Sequence, residues 1–200
     1  MIPGIGIVLL AAGQSSRFGQ PKQLFYFQGE ALIRRAARAA HSLNCGPVVI
    51  TTLDLFEEIK ALVNFPNTTV IQATQAHLGQ GASLKAGLRF LVDHYPDLSG
   101  LMILLCDQPL VGIPHLQQLI DAFVQHPDKC IAAGFNEVTG PPIIFPPPWF
   151  PQLASIPDNN GAKSLLLHMD SADRVIVPIP EAALDMDTPN DLKLFLPYDC

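Results

Sequence analysis

The chain reads as a three-layer α/β protein with a mostly parallel central sheet, and three observations predict this. Short apolar runs alternate with amphipathic stretches of about ten to fifteen residues, the pattern of repeated strand–helix units. The run Leu101–Cys106 is apolar throughout, as expected of a strand covered on both faces at the centre of a parallel sheet. The first run, Ile5–Leu10, opens into a Gly/Ser-rich loop, and open α/β sheets bind ligands beyond the carboxyl ends of their strands.

In chain order, Ile5–Leu10 is a buried strand, and the loop after it carries Arg17 and Lys22. Phe25–Gly29 is short and extended, and Glu30–Leu43 is an Ala/Arg-rich helix that Gly46-Pro47 breaks. Val48–Leu53 is a strand of β-branched residues, followed by a helix whose apolar side is Leu55, Ile59, Leu62 and Val63. Pro66-Asn67 turns the chain into a short strand, Thr69–Gln72. A Gly-rich loop, His77–Gly81, precedes a helix from Ala82 to His94. The strand Leu101–Cys106 ends at Asp107-Gln108-Pro109, and Pro114 opens a helix that runs to His126. Lys129–Gly134 is a further strand. Thr139–Pro151 is Pro-rich, with Ile143–Phe145 a short strand between turns. Gly161–His168 is a helix, Arg174–Pro178 a strand, and Thr188-Pro189 begins a closing helix, Asn190–Phe195. No repeat or linker interrupts this order, so residues 1–200 are expected to form a single domain.

Apolar residues make up 48% and charged residues 15% of the chain, which suits a globular protein with a substantial core. No apolar run approaches the ~18–20 residues of a membrane span, and the N-terminus shows no cationic leader, so a cytoplasmic protein is expected. Cys45, Cys106, Cys130 and Cys200 are scattered without a C-x-x-C pair, the pattern of free buried thiols in a reducing compartment. The net charge of −6 argues against general nucleic-acid binding. It is uneven, with +4 over residues 1–40 and −10 over the remainder. Arg34, Arg35 and Arg38 have helical spacing and read as a solvated face, whereas Arg17 and Lys22 sit in the loop.

That loop has the chemistry of a phosphate cradle. Small side chains let backbone approach a ligand, successive N–H groups converge on an anion, and two cations add charge. It is neither the G-x-G-x-x-G of dinucleotide-binding turns nor the G-x-x-x-x-G-K-[S/T] of P-loops. Leu10-Ala11-Ala12-Gly13-Gln14-Ser15-Ser16-Arg17-Phe18-Gly19-Gln20-Pro21-Lys22 instead fits L-A-A-G-x-S-x-R-x-G-x-x-K. This resembles the opening signature of the MobA-like nucleotidyltransferases, which transfer a nucleoside monophosphate from a nucleoside triphosphate. Cys106-Asp107-Gln108-Pro109 resembles the C-D-Q-P box of that family's molybdenum-cofactor cytidylyltransferase branch, and Asp185-Met186-Asp187-Thr188-Pro189 its D-I-D-T-P element. His77 to Leu84 is similar to its G-x-G-x-S-L loop.

The resemblance implies a Rossmann-like nucleotidyltransferase fold and roles for particular residues. Arg17, Lys22 and Asp107 would carry catalysis, and Leu10, Ala11, Ala12, Gly13, Gly79, Gly81 and Ser83 would join them in binding nucleotide. Asp107 and Asp185 would hold Mg²⁺. From residue type alone, Asp107 reads either as a metal ligand or as the cap of a turn, and Ser83 either as a base contact or as a helix N-terminal residue. Asp187 reads as a cap for the last helix or as a group near the metal. Gln108, Lys163 and Asp187 are candidates for the acceptor side, Lys163 through a likeness of Gly161-Ala162-Lys163 to a later family element. The guanylyl branch tends to read L-A-G-G and the cytidylyl branch L-A-A-G, so Ala12, whose methyl would crowd a purine, favours CTP. Val138-Thr139-Gly140-Pro141-Pro142 departs from the family by lacking a polar or histidine residue before the Ile-Ile-Phe strand.

The expected reaction is transfer of CMP from CTP to the terminal phosphate of molybdopterin, with release of pyrophosphate. Transient contact with a molybdoenzyme is the protein partner implied. The alternatives are a GTP-using guanylyltransferase, a sugar-phosphate nucleotidyltransferase, and a non-catalytic chaperone that delivers cofactor to a molybdoenzyme. No Ser-His-Asp or Cys-His constellation is evident, and none is needed where the nucleophile is a phosphate already ionised at pH 7.

Overall fold

Strand β1 (Ile5–Leu10) is buried along its whole length, and the main sheet grows from both its edges. The structure is a computed structural model that describes residues 4–13 and 18–195. On one side of β1 lie β4 (Val48–Thr52) and β5 (Thr68–Gln72), both parallel to it. On the other side, β6 (Gly100–Leu105) is parallel to β1 and occupies the centre of the seven-stranded order β5-β4-β1-β6-β8-β7-β9. The connections leave β1 first towards β4 and later towards β6. The β1/β6 boundary is therefore the switch point at which open sheets bind ligands.

Alternation along β1 assigns the two layers. Ile5, Ile7 and Leu9 face one core with α1 (Leu32–Ser42), α2 (Phe56–Leu62) and α4 (Ile113–Gln125). Val8 and Leu10 face a second core with α3 (Gln80–His94), α5 (Phe150–Ser155) and α6 (Lys163–Leu166). Leu101, Met102 and Ile103 are fully buried, which is why β6 is apolar without alternation. A small antiparallel pair, β2 (Tyr26–Phe27) and β3 (Glu30–Ala31), stands apart from the main sheet.

The far side of β6 departs from a simple parallel order. The sequence predicts only Ile143–Phe145 as a strand between turns. Instead β8 (Val138–Phe145) spans eight residues, antiparallel to both β6 and β7 (Cys130–Phe135). Proline cannot donate to a ladder. The register shift between Ala132 and Ala133 lets the ladder pass over Pro141 and Pro142. The edge strand β9 (Arg174–Pro178) pairs parallel to β7. The chain then crosses back to α7 (Leu192–Phe195), a shorter α-helix than the expected Asn190–Phe195 because Pro189–Asp191 forms a 3₁₀ turn. α5, on the Pro-rich stretch, was not expected.

Candidate active site at the carboxyl ends of β1 and β6

The register Leu10↔Leu105 makes β1 and β6 end level with each other. Residues 11–13 and Asp107 therefore leave the sheet side by side. Lys22 opens a 3₁₀ turn, Lys22–Leu24, and reaches across the gap. Its Nζ donates to Asp107 Oδ2 at 2.6 Å and to Asp187 Oδ1 at 2.9 Å. Burial opposes the lysine's charge, but the charge and hydrogen bond of Asp107, then the hydrogen bond of Asp187, hold the ammonium above the ordinary lysine range.

The acidic element 185–187 is anchored from within. Met186 is fully buried against Phe18, Phe27, Leu32 and Phe195, and its N–H donates to Asp107 O at 2.8 Å. Burial of such a side chain contributes about 1.5–3 kcal/mol. Asp185 is exposed at the surface. Partial desolvation, then the charge of Asp107, nonetheless pushes its carboxyl up to about 6, against a hydrogen bond from Gln108 and the charge of Lys22. Water screens part of that shift. The turn beyond is closed by Asp191, whose Oδ2 accepts the N–H groups of Asp187 at 2.9 Å and Thr188 at 2.6 Å. Thr188-Pro189-Asn190-Asp191 has the spacing of a capping box, so sequence held the signal for Asp191. Asp187, read from sequence as a cap or as a group near the metal, accepts from Lys22 Nζ.

Asp107 Oδ1 is buried and, among the described residues, has no hydrogen-bond partner. A buried orphan oxygen beside a second carboxyl, Asp185, fits a hard divalent cation, and Mg²⁺ binds through one or two carboxylates while keeping water and phosphate oxygens. No group of three or more His, Cys, Asp or Glu among the described residues could hold a metal by itself. The two carboxylates therefore suit an ion whose remaining positions are filled by water or by a phosphate-bearing ligand.

A cleft of about 390 Å³, within the range of small-ligand sites, is lined by Leu10, Ala12, Gly13, Lys22, Gly79, Ser83 and Asp107. Those seven predicted residues do converge. Ala11 is buried behind them. Arg17 and residues 14–16 lie outside the described residues, as does Cys200. A larger groove of about 620 Å³ runs between β5 and α3, but its Lys85 and Arg89 pair with Asp158 and Asp93 and it holds no acidic cluster like that of the cleft.

Gly79 and Gly81 serve a purpose the motif did not disclose. The segment 156–161 lies against the start of α3. A Cβ on Gly79, at φ +137°, would stand 2.5 Å from Asp158 O, and one on Gly81 2.6 Å from Asn160 O. Asp158 O accepts the N–H groups of Gly81 at 2.9 Å and Ala82 at 3.3 Å. These helix-terminal donors are thus committed to protein. Lys85 secures the segment through Ile156 O at 3.1 Å and Asp158 Oδ1 at 2.5 Å.

The three acceptor candidates separate. Gln108 is 6% exposed, and its Nε2 donates to Ala182 O at 3.0 Å and Pro141 O at 3.3 Å. It braces the segments on either side, around Pro141 and Ala182, and also hydrogen-bonds Asp185. Asp187 joins the lysine cluster, and the stem of Lys163 packs over Gly140, 3.8 Å from where its Cβ would stand. Arg35, read as solvated, instead donates from Nε to Pro109 O at 2.7 Å, and Arg38 and Arg34 pair with Glu30. Cys45, Cys106 and Cys130 are free and buried, as expected.

Comparison with known proteins bears on the family and the fold. The chain is 28% identical over 196 residues to the purine catabolism protein PucB of Bacillus subtilis, covering 94% of this chain and 93% of the relative. The crystal structure of Rv0371c from Mycobacterium tuberculosis superposes with a TM-score of 0.79 at 25% identity, covering 98% of this chain and 99% of that one. A manganese complex of Rv0371c superposes with a TM-score of 0.74 at 23% identity, covering 97% and 98%. Residues 7–174 match the model of the MobA-like NTP transferase domain, and the chain belongs to that family of nucleotidyltransferases.

Proposed function

We propose that the protein transfers CMP from CTP to the terminal phosphate of molybdopterin, releasing pyrophosphate. The observation that carries this reading is the meeting of Lys22, Asp107 and Asp187, with Asp185 acting on Asp107, from three distant parts of the chain, where Lys22 and Asp107 line one cleft. In this reading the cleft takes the nucleotide, with its triphosphate along Ala12 and Gly13 and against Lys22. Ala12 lines the cleft, and in this reading its methyl would crowd a purine, which favours CTP. The C-D-Q-P box supports a molybdenum-cofactor acceptor.

A divalent cation on Asp107 and Asp185, supported in kind by the manganese complex of Rv0371c, would supply positive charge to phosphate oxygens. The chain's own part is binding and orientation. Lys22, held charged by Asp107 and Asp187, can follow a phosphate oxygen as negative charge moves toward the leaving pyrophosphate. An acceptor phosphate oxygen attacks the α-phosphorus in line, and the bond to the bridging oxygen of the β-phosphate breaks. The acceptor phosphate is ionised at neutral pH, so no side chain has to remove a proton. Lys163 is assigned to the acceptor phosphate.

The test is pyrophosphate release from each of CTP, GTP, ATP and UTP, with and without molybdopterin. Release from CTP only when molybdopterin is present is the expected result. Release from GTP would make the protein a guanylyltransferase, and release with a sugar phosphate would change the acceptor. Silence throughout, with a molybdoenzyme bound, would favour a delivery chaperone.

A further inference from the structure

Gln23 has no part in the reaction as described so far, yet it is built into the site. It follows Lys22 in the 3₁₀ turn, is 2% exposed, and turns its amide back beneath the first loop. Nε2 donates to Ala11 O at 3.0 Å and to Gly13 O at 2.6 Å, the carbonyls on either side of Ala12. One NH₂ group thus fixes two peptide planes. In a trans peptide the N–H points opposite to the C=O, so drawing Ala11 O toward Gln23 turns the Ala12 N–H away from it. Gln23 also forms part of the wall between the cleft and a second cavity of about 110 Å³, which Thr52 and Leu53 line.

Few side chains could do this. The site needs two donors on one atom at that reach. Glutamate would aim acceptor oxygens at two carbonyls, methionine would fill the volume without a donor, and asparagine is one methylene short. We propose that Gln23 is a positioning residue for the nucleotide: it holds residues 11–13 in the shape that receives the triphosphate and ties that shape to the turn carrying Lys22. This rests on the nucleotide reading of the cleft. The effect runs through the loop backbone, so it falls on nucleotide affinity and leaves the acidic cluster and the acceptor side unchanged.

The experiment compares the full chain with its Gln23→Met and Gln23→Asn variants. It measures CTP binding by calorimetry with Mg²⁺ present, Mn²⁺ binding by electron paramagnetic resonance without nucleotide, and KM for each substrate. The variants are expected to bind CTP at least tenfold more weakly and to raise the KM for CTP. Mn²⁺ affinity and the acceptor KM should stay within twofold of the wild type. Gln23→Asn keeps a buried amide and serves where Gln23→Met fails to fold. Equal CTP affinity in wild type and a folded variant would overturn the role of Gln23 alone. A parallel loss of CTP and Mn²⁺ affinity together with a raised acceptor KM would make its role merely structural and overturn the proposal. A wild type that binds none of the four nucleoside triphosphates would overturn the nucleotide reading and this proposal with it.

Discussion

Lys22 is held by two carboxylates before any phosphate reaches it, and this arrangement makes its contribution measurable. The Asp107 and Asp187 oxygens that keep it charged also keep its Nζ at the rim of the cleft. Lys22→Ala should lower kcat at least ~100-fold, as loss of a charge-stabilising donor does elsewhere, while far-ultraviolet circular dichroism stays native. A variant with kcat within tenfold of wild type would remove Lys22 from the reaction. Asp185 provides a pH test. Its folded pKa, about 6, lies above the ordinary 3.8, so protons favour the folded state. Stability from this group is full below the ordinary value and is lost as pH rises through about 6. Cation binding runs the other way, because the ion needs the carboxylate. Mn²⁺ affinity of the nucleotide-free protein should therefore weaken as pH falls from 7 to 5, and Asp185→Asn should flatten that profile.

Among the elements, the 156–161 segment and the start of α3 behave as one piece. Gly79 needs both its positive φ and the absence of a Cβ beside Asp158 O. Gly79→Ala adds backbone strain and a clash, together about 2–4 kcal/mol. A melting temperature lower by on the order of 10 °C is expected for a chain of this size. Thermal unfolding followed by circular dichroism checks it, and an unchanged midpoint would mean that the segment does not bear on α3. The motif G-x-G was legible in the sequence, but its partner was not. Nothing in residues 77–84 indicates that the carbonyl of Asp158, 77 residues beyond Gly81, occupies the helix-terminal donors. Helix α1 teaches the same lesson, since Arg34, Arg35 and Arg38 share a helical spacing, yet only Arg35 reaches Pro109 behind the acidic box.

For the whole molecule, a ligand seated at the β1/β6 boundary would join the first loop, the end of β6 and the 185–187 element. It should therefore stabilise the fold globally: at a hundred times its Kd, CTP with Mg²⁺ adds about 2.7 kcal/mol. That raises the melting temperature by on the order of 8 °C, readable by calorimetry, and no shift with any nucleoside triphosphate would count against the nucleotide site. Strand and helix order along β1, β4, β5 and β6 was legible from periodicity, because burial of one face or two leaves its mark on neighbouring residues. The first-loop motif and the two acidic boxes could be picked out too, since each is a run of consecutive residues. Spatial order decided the rest. Lys22 meets Asp107 across 85 residues and Asp187 across 165, β8 enters antiparallel beside β6, and Gln108 and Gln23 turn inward to brace backbone. A residue's neighbours in sequence set its local conformation, but its partner across the sheet depends on which strands lie adjacent, and that order arises only when the two cores close around β1.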